Sequence, residues 1–300
     1  MTTTLALPTV AKRVHIFAAT SCWGARDHHC DMGPLAIQSR GLLPRLQALG
    51  YTAQWYTLAP PPTADGDPHK LAHIAHYCQN LARGVSDSLN SGAFFYVIGG
   101  DHSCAVGTWS GVYQALHTQG DIGLIWIDAH MDSHTVESSP SGAIHGMPLA
   151  ALLGYGDTRL TTIAGAVPKL KPEHLCLIGV RSFEPAEAEL LNRLGVRIFY
   201  NSEVTERGLA DVMVEARAIV KRGTIAYGIS IDIDAIDPDD APGVGSPEPA
   251  GLSAQALIAE LHHGRHDEHL VGVEVVELNP QRDDRNRTAD LAVELLLAAL

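Results

Sequence analysis

Short runs of β-prone apolar residues alternate with longer helix-period stretches from end to end of this chain, and no other feature constrains its fold as much. The runs cover residues 14–18, 52–58, 94–98, 122–127, 174–178, 196–200, 225–231 and 270–276. Most are continuous rather than alternating, as expected of strands buried on both faces of a parallel sheet. Between them lie helical stretches at 36–49, 70–89, 106–118, 185–194, 209–221 and 254–262, and the chain closes on another at 288–300. Ser253 stands where an N-cap belongs, and Gly195 and Gly223 where helices end. The pattern predicts a three-layer α/β/α fold with a mainly parallel sheet. No linker or shift in composition divides the chain, so residues 1–300 read as one domain.

Three of the apolar runs end on residues that bind metals. The first is followed by Gly99, Gly100, Asp101 and His102, the second by Asp128, Ala129, His130, Met131 and Asp132. The third leads into Ser230, Ile231, Asp232, Ile233 and Asp234. Open parallel sheets bind ligands beyond the carboxyl ends of their strands, which is where all three segments fall. His102 and His130 with Asp128, Asp132, Asp232 and Asp234 make a donor set for two hard divalent cations. In an extended chain alternate residues share a direction. Asp128, His130 and Asp132 should therefore converge with Ala129 and Met131 behind them, and Asp232 and Asp234 with Ile231 and Ile233 facing away. Gly99 and Gly100 would let the backbone turn beside the ions. A single Asp-x-His or Asp-x-Asp is ordinary turn chemistry, but three at strand ends point to a dinuclear metallohydrolase. Oxygen and imidazole donors without thiolate favour manganese, with zinc, cobalt, nickel and iron chemically open. Two ions about 3.5–4 Å apart can share a water and yield hydroxide near neutral pH, so no side-chain nucleophile is required.

Composition narrows the class further. An apolar content of 46% against 18% charged residues describes a chain with a sizeable core. The formal net charge of −13 argues against nucleic acid or an anionic membrane as partner and suits a cationic substrate. Cys22, Cys30, Cys78, Cys104 and Cys176 are odd in number and scattered, which fits reduced thiols in a cytoplasmic protein. Residues 1–10 lack the basic start and long apolar stretch of a signal peptide, and no apolar run approaches the roughly 18 residues of a membrane span.

In combination these segments resemble the ureohydrolases, the family of arginases, agmatinases and related guanidino-hydrolases. The resemblance runs from Gly99–Ser103 through Asp128–Asp132 and Ser230–Pro238 to Val276, Glu277, Leu278, Asn279 and Pro280. It implies an eight-stranded sheet at the centre of the sandwich and two manganese ions per chain, with nickel or cobalt as substitutes. One ion would be held by His102, Asp128, Asp132 and Asp232. The other would be held by His130, Asp128, Asp232 and Asp234, with Asp128 and Asp232 bridging. Asp132 would be counted with His145 and Glu277 in the catalytic group. Glu277 matches the family carboxylate that pairs with the guanidinium, and His145 the histidine that shuttles a proton to the leaving amine. The implied reaction is hydrolysis of L-arginine to ornithine and urea by a bridging hydroxide, in a homotrimer or homohexamer.

At the substrate's tail the pattern departs from the family. Ser141 is kept, but His134 and Ala143 stand where arginases usually have asparagines that contact the substrate carboxylate. Glu184 stands where an aspartate would hold the α-ammonium, and Ser182 where another aspartate belongs. These departures support one alternative, another guanidino-hydrolase acting on agmatine or a guanidino acid. A third reading, a catalytically silent partner subunit, would be favoured by loss of a ligand, His145 or Glu277, and none is lost. Four features carry no metal or catalytic expectation. His28, His29 and Cys30 read as rim or packing, residues 262–269 as a solvated loop, Asp237 and Pro238 as a turn, and Cys104 as a buried helix start. The loops at 133–146 and 237–251 follow the metal segments and should form the rim of the cleft.

Overall fold

Each apolar run becomes a strand: β1 Arg13–Ala19, β2 Thr52–Leu58, β3 Phe94–Gly99, β4 Asp121–Ile127, β5 Leu175–Val180, β6 Arg197–Tyr200, β7 Thr224–Asp232 and β8 Leu270–Val276. The computed structural model describes residues 13–60, 63–64, 66–165 and 167–300. Residues 1–10, read as lacking a signal peptide, lie outside these. Among the described residues, no helix is long and apolar enough to cross a membrane.

The strands form one eight-stranded sheet in the order β2-β1-β3-β8-β7-β4-β5-β6. Every strand pair is parallel, which is stricter than the mainly parallel sheet expected. Alternate residues of the central strands enter two separate cores. Tyr96, Ile98, Ile125, Ile127, Ile229 and Ile231 face one side, and Phe95, Val97, Leu124 and Trp126 the other. Helices Gly33–Ser39, Leu42–Ala48, Leu209–Lys221, Ala254–Gly264 and Arg287–Ala298 cover the first core. Lys70–Asn90, Ala105–Leu116, Pro148–Leu152 and Pro185–Leu194 cover the second. Each large side chain buried here contributes about 1.5–3 kcal/mol, and the two-sided burial explains why the strand sequences do not alternate.

Two local expectations fail. The helix expected over 36–49 is broken into Gly33–Ser39 and Leu42–Ala48, because Gly41 adopts φ 80° at the start of the second and an α-helix cannot pass through that conformation. The His-rich run is not all loop: helix Ala254–Gly264 continues through His262 and His263, and the His263 ring meets Glu260 one turn back at 3.1 Å. Ser253 does cap that helix, accepting the Ala256 N–H.

The topology places the chemistry. The chain passes from β3 to β4 without filling the two positions between them, and β7 and β8 occupy these later. The carboxyl ends of β3, β8, β7 and β4 therefore open side by side at the centre of the sheet.

Candidate metal centre

At the end of β4 the chain does not stay extended as the sequence suggested. The Asp128 carboxylate accepts the His130 N–H at 2.7 Å through Oδ1 and the Trp126 indole N–H at 2.9 Å through Oδ2. Asp132 takes a positive φ of 47°. A tight turn, not strand alternation, brings Asp128, His130 and Asp132 together, while Ala129 and Met131 are fully buried behind them. The same correction applies after β7. Asp232 accepts the Asp234 N–H at 2.9 Å, starting the 3-10 turn Ile233–Ala235 that aims both carboxylates. Arg181, silent in the sequence, fixes this turn: its guanidinium donates to the carbonyls of Asp234 and Glu248 at 2.7 and 2.8 Å.

Beyond β3, His102 begins a short 3-10 helix. The chain bends at Gly100 as expected, though without a positive φ at either Gly99 or Gly100. Gly100 is needed for contact: a Cβ there would lie 2.0 Å from the Ser21 carbonyl oxygen. Asp101 is fully buried and accepts the N–H groups of Gly24 and Ser103 at 2.7 and 2.9 Å.

These elements converge. His102 Nδ1 lies 3.3, 3.0 and 3.2 Å from carboxylate oxygens of Asp128, Asp132 and Asp232. His130 Nδ1 lies 3.4 Å from Asp128 and 3.2 Å from Asp234. Asp128 turns Oδ2 to one imidazole and Oδ1 to the other, so it belongs to both groups. All six residues named from the sequence meet in this one place.

The electrostatics fit a pair of divalent cations. Burial, then the Asp128 charge, pushes the Asp132 carboxyl up to about 6. Burial, with repulsion from Asp234 and Asp128, holds Asp232 well above the carboxylate range. Four carboxylates crowded out of water cannot all stay ionised without positive charge between them. Among the described residues, His102 Nδ1 is buried without a hydrogen bond although three carboxylate oxygens surround it. An imidazole lone pair aimed at a cation has that geometry.

Beside this group, Glu277 follows β8 with φ 66° and is buried. Its Oε1 accepts the His102 N–H at 2.9 Å and lies 3.0 Å from His145 Nδ1. The Cys30 thiol donates to Oε2 at 3.4 Å, so the cysteine read as packing also touches a candidate site residue. Burial works against charge on His145, but Glu277 outweighs it and pushes the imidazole up to about 9. Burial likewise opposes ionisation of Glu277, and the His145 charge reverses this and holds the carboxyl below its usual range.

A cleft of about 200 Å³ opens onto the group, lined in part by His130, Asp132, His145, Asp232 and Asp234. Both loops expected at the rim contribute: His134 and Ser141 come from one and Ser246 from the other. Glu184 and Glu187 line the cleft as well. His134 is buried, its Nε2 2.9 Å from Glu184 and 3.4 Å from Glu187, its Nδ1 3.0 Å from Ser138 Oγ. The sequence reading missed Glu187. Its one signal is the spacing from Glu184, with which it forms the capping box of helix Pro185–Leu194. Glu274, also missed, sits fully buried behind His102, where burial pushes its carboxyl up.

The model of the arginase family matches residues 12–300. The arginase of Brevibacillus brevis is 40% identical over 290 residues, 95% of this chain and 96% of its own. The crystal structure of Bacillus subtilis arginase superposes with a TM-score of 0.89 at 33% identity, covering 96% of this chain and 98% of its own. Entamoeba histolytica arginase, solved in complex with L-ornithine, gives 0.89 at 26% identity over 96% of this chain and 97% of its own.

Proposed function

Since this chain belongs to the arginase family, hydrolases of the guanidino C–N bond, we propose that it converts L-arginine and water to L-ornithine and urea using two manganese ions. His102, Asp128, Asp132 and Asp232 would hold one ion and His130, Asp128, Asp232 and Asp234 the other, and nickel or cobalt would suit the same donors. When bound, the two cations make a shared water acidic enough to supply hydroxide near neutral pH. The observation that carries this reading is Asp128, whose two carboxylate oxygens face two different imidazoles.

The protein's own groups supply the rest. Glu277, ionised and buried, pairs with the planar guanidinium through charge-assisted N–H···O bonds and holds its carbon beside the water. The water oxygen bonds to that carbon, the bond from it to the arginine Nε breaks, and that nitrogen, the Nδ of ornithine, must take up a proton. His145 holds a proton beside Glu277 and delivers it. Along the cleft, Glu184 faces the α-ammonium, and Ser141 and His134 stand at the carboxylate end. The reading extends to a cytoplasmic homotrimer or homohexamer, in keeping with five buried cysteines left free.

A second reading, hydrolysis of another guanidino compound such as agmatine, draws on one observation. Both ring nitrogens of His134 are engaged, by Ser138 and Glu184, where the family pattern would place an asparagine amide. Urea release from arginine, agmatine and guanidino acids after manganese loading tests both. Arginine turned over well above the rest supports the first reading, and another compound in its place moves the substrate. No urea from any of them would overturn the proposed hydrolysis.

A further inference from the structure

A carboxylate in the middle of a central strand is costly unless everything around it compensates. Glu274 is such a group: it lies within β8, fully buried, paired in register with Ser230 of β7. Four side chains donate to it. The Ser230 hydroxyl reaches Oε2 at 2.7 Å and the Trp109 indole N–H reaches the same oxygen at 3.0 Å. Thr108 and the Cys104 thiol donate to Oε1. An indole N–H can only donate, so at least one of these contacts calls for an acceptor at Glu274.

The chain of contacts continues from Ser230 to the metal centre. Ser230 Oγ, whose hydroxyl hydrogen is engaged in donating to Glu274, accepts from His102 Nε2 at 3.0 Å. That places the ring proton on Nε2 and the lone pair on Nδ1, the atom that faces Asp128, Asp132 and Asp232. Trp126 stacks on the ring at 4.1 Å and 9°, which fixes its plane.

We propose that Glu274, acting through Ser230, is a positioning residue that sets the His102 tautomer and strengthens its hold on one of the two cations. The inference rests on the dinuclear centre proposed above. The outer N–H of a metal-bound histidine usually meets a carboxylate, a carbonyl or water, and here a serine hydroxyl stands between ring and carboxylate.

The test is calorimetric titration of the metal-free protein with manganese, for wild type, Glu274→Gln and Ser230→Ala, with circular dichroism to check that each variant folds. Each variant should bind one manganese about 10–100-fold more weakly and keep the other close to wild-type affinity. Should Glu274→Gln fail to fold, Ser230→Ala carries the test alone, because it removes only a hydroxyl. Wild-type affinity at both sites in the folded variants would overturn the proposal. Equal weakening at both sites would also overturn it, reducing Glu274 to a general structural role. A wild-type protein that takes up fewer than two ions sinks the dinuclear reading first, and this inference with it.

Discussion

Glu277 Oε1 and His145 Nδ1 lie 3.0 Å apart, although 132 residues separate them in the chain. The same oxygen accepts the backbone N–H of His102, so one carboxylate links the proposed guanidinium subsite, the proposed proton donor and a candidate metal segment. A substrate guanidinium at Glu277 must share that carboxylate with His145, and this competition has a measurable consequence.

The proton on His145 persists below about pH 9 and is lost above it, because Glu277 raises its affinity. Raising the pH through that value removes the proton that the leaving nitrogen needs, so kcat/KM should fall on the alkaline side. Guanidinium bound at Glu277 weakens the hold on that proton, and the alkaline limb of kcat should therefore lie at lower pH than that of kcat/KM. His145→Asn should lower kcat by about 10²–10⁴ and abolish the limb. A limb surviving in that variant would belong to another group.

Asp128→Asn should cost both ions, since its two oxygens face His102 and His130 separately. Asp234→Asn should cost one, because Asp234 stands beside His130 alone of the two histidines. Metal content after desalting checks this, and activity of Asp128→Asn should fall below detection. Two ions retained by Asp128→Asn would end its assignment as a bridge.

Part of this was open to reading in the sequence. The strands were legible because burial on both faces leaves continuous apolar runs, as at residues 122–127, and the clustering of the six histidines and aspartates because they follow those runs directly. The local geometry was not. The turn that gives Asp132 its φ of 47° depends on the Asp128 carboxylate accepting the His130 N–H, a contact that spacing does not encode. Glu274 reads as one stray charge in an apolar strand, and its partners Trp109 and Thr108 lie 165 and 166 residues away. The Cys30 contact with Glu277 spans 247 residues and has no sequence signal at all.

Metal uptake should release protons. Burial disfavours charge on His102, yet the carboxylates of Asp128, Asp132 and Asp232 outweigh it and hold its proton far above neutral pH. His130 is held the same way, against burial, by Asp234 and Asp128. Cations must displace these protons, so binding should strengthen as pH rises and weaken as it falls. Calorimetry in two buffers of different ionisation enthalpy reads the release directly, and identical heats in both would contradict it.

Gly24 tests how His145, the proposed proton donor, is carried. Its N–H donates to Asp101 at 2.7 Å, and its carbonyl accepts from Ile144 at 2.8 Å and His145 at 3.2 Å. A Cβ at this position would stand 2.6 Å from Asp101 Oδ1 and 2.7 Å from Ser103 Oγ, both on buried residues with little room to move. In Gly24→Ala the loop must therefore shift and take the His145 backbone with it. Misplacement by about 1 Å costs roughly 10²-fold in rate, so kcat should fall by that order. Overpacking should cost about 1–3 kcal/mol of stability, read from denaturant unfolding. Manganese content should be unchanged, because the hydrogen bonds of Gly24 go to Asp101, Ile144 and His145 and to none of the six metal-facing side chains. Wild-type kcat and stability in this variant would show that the loop absorbs a methyl group without disturbing His145.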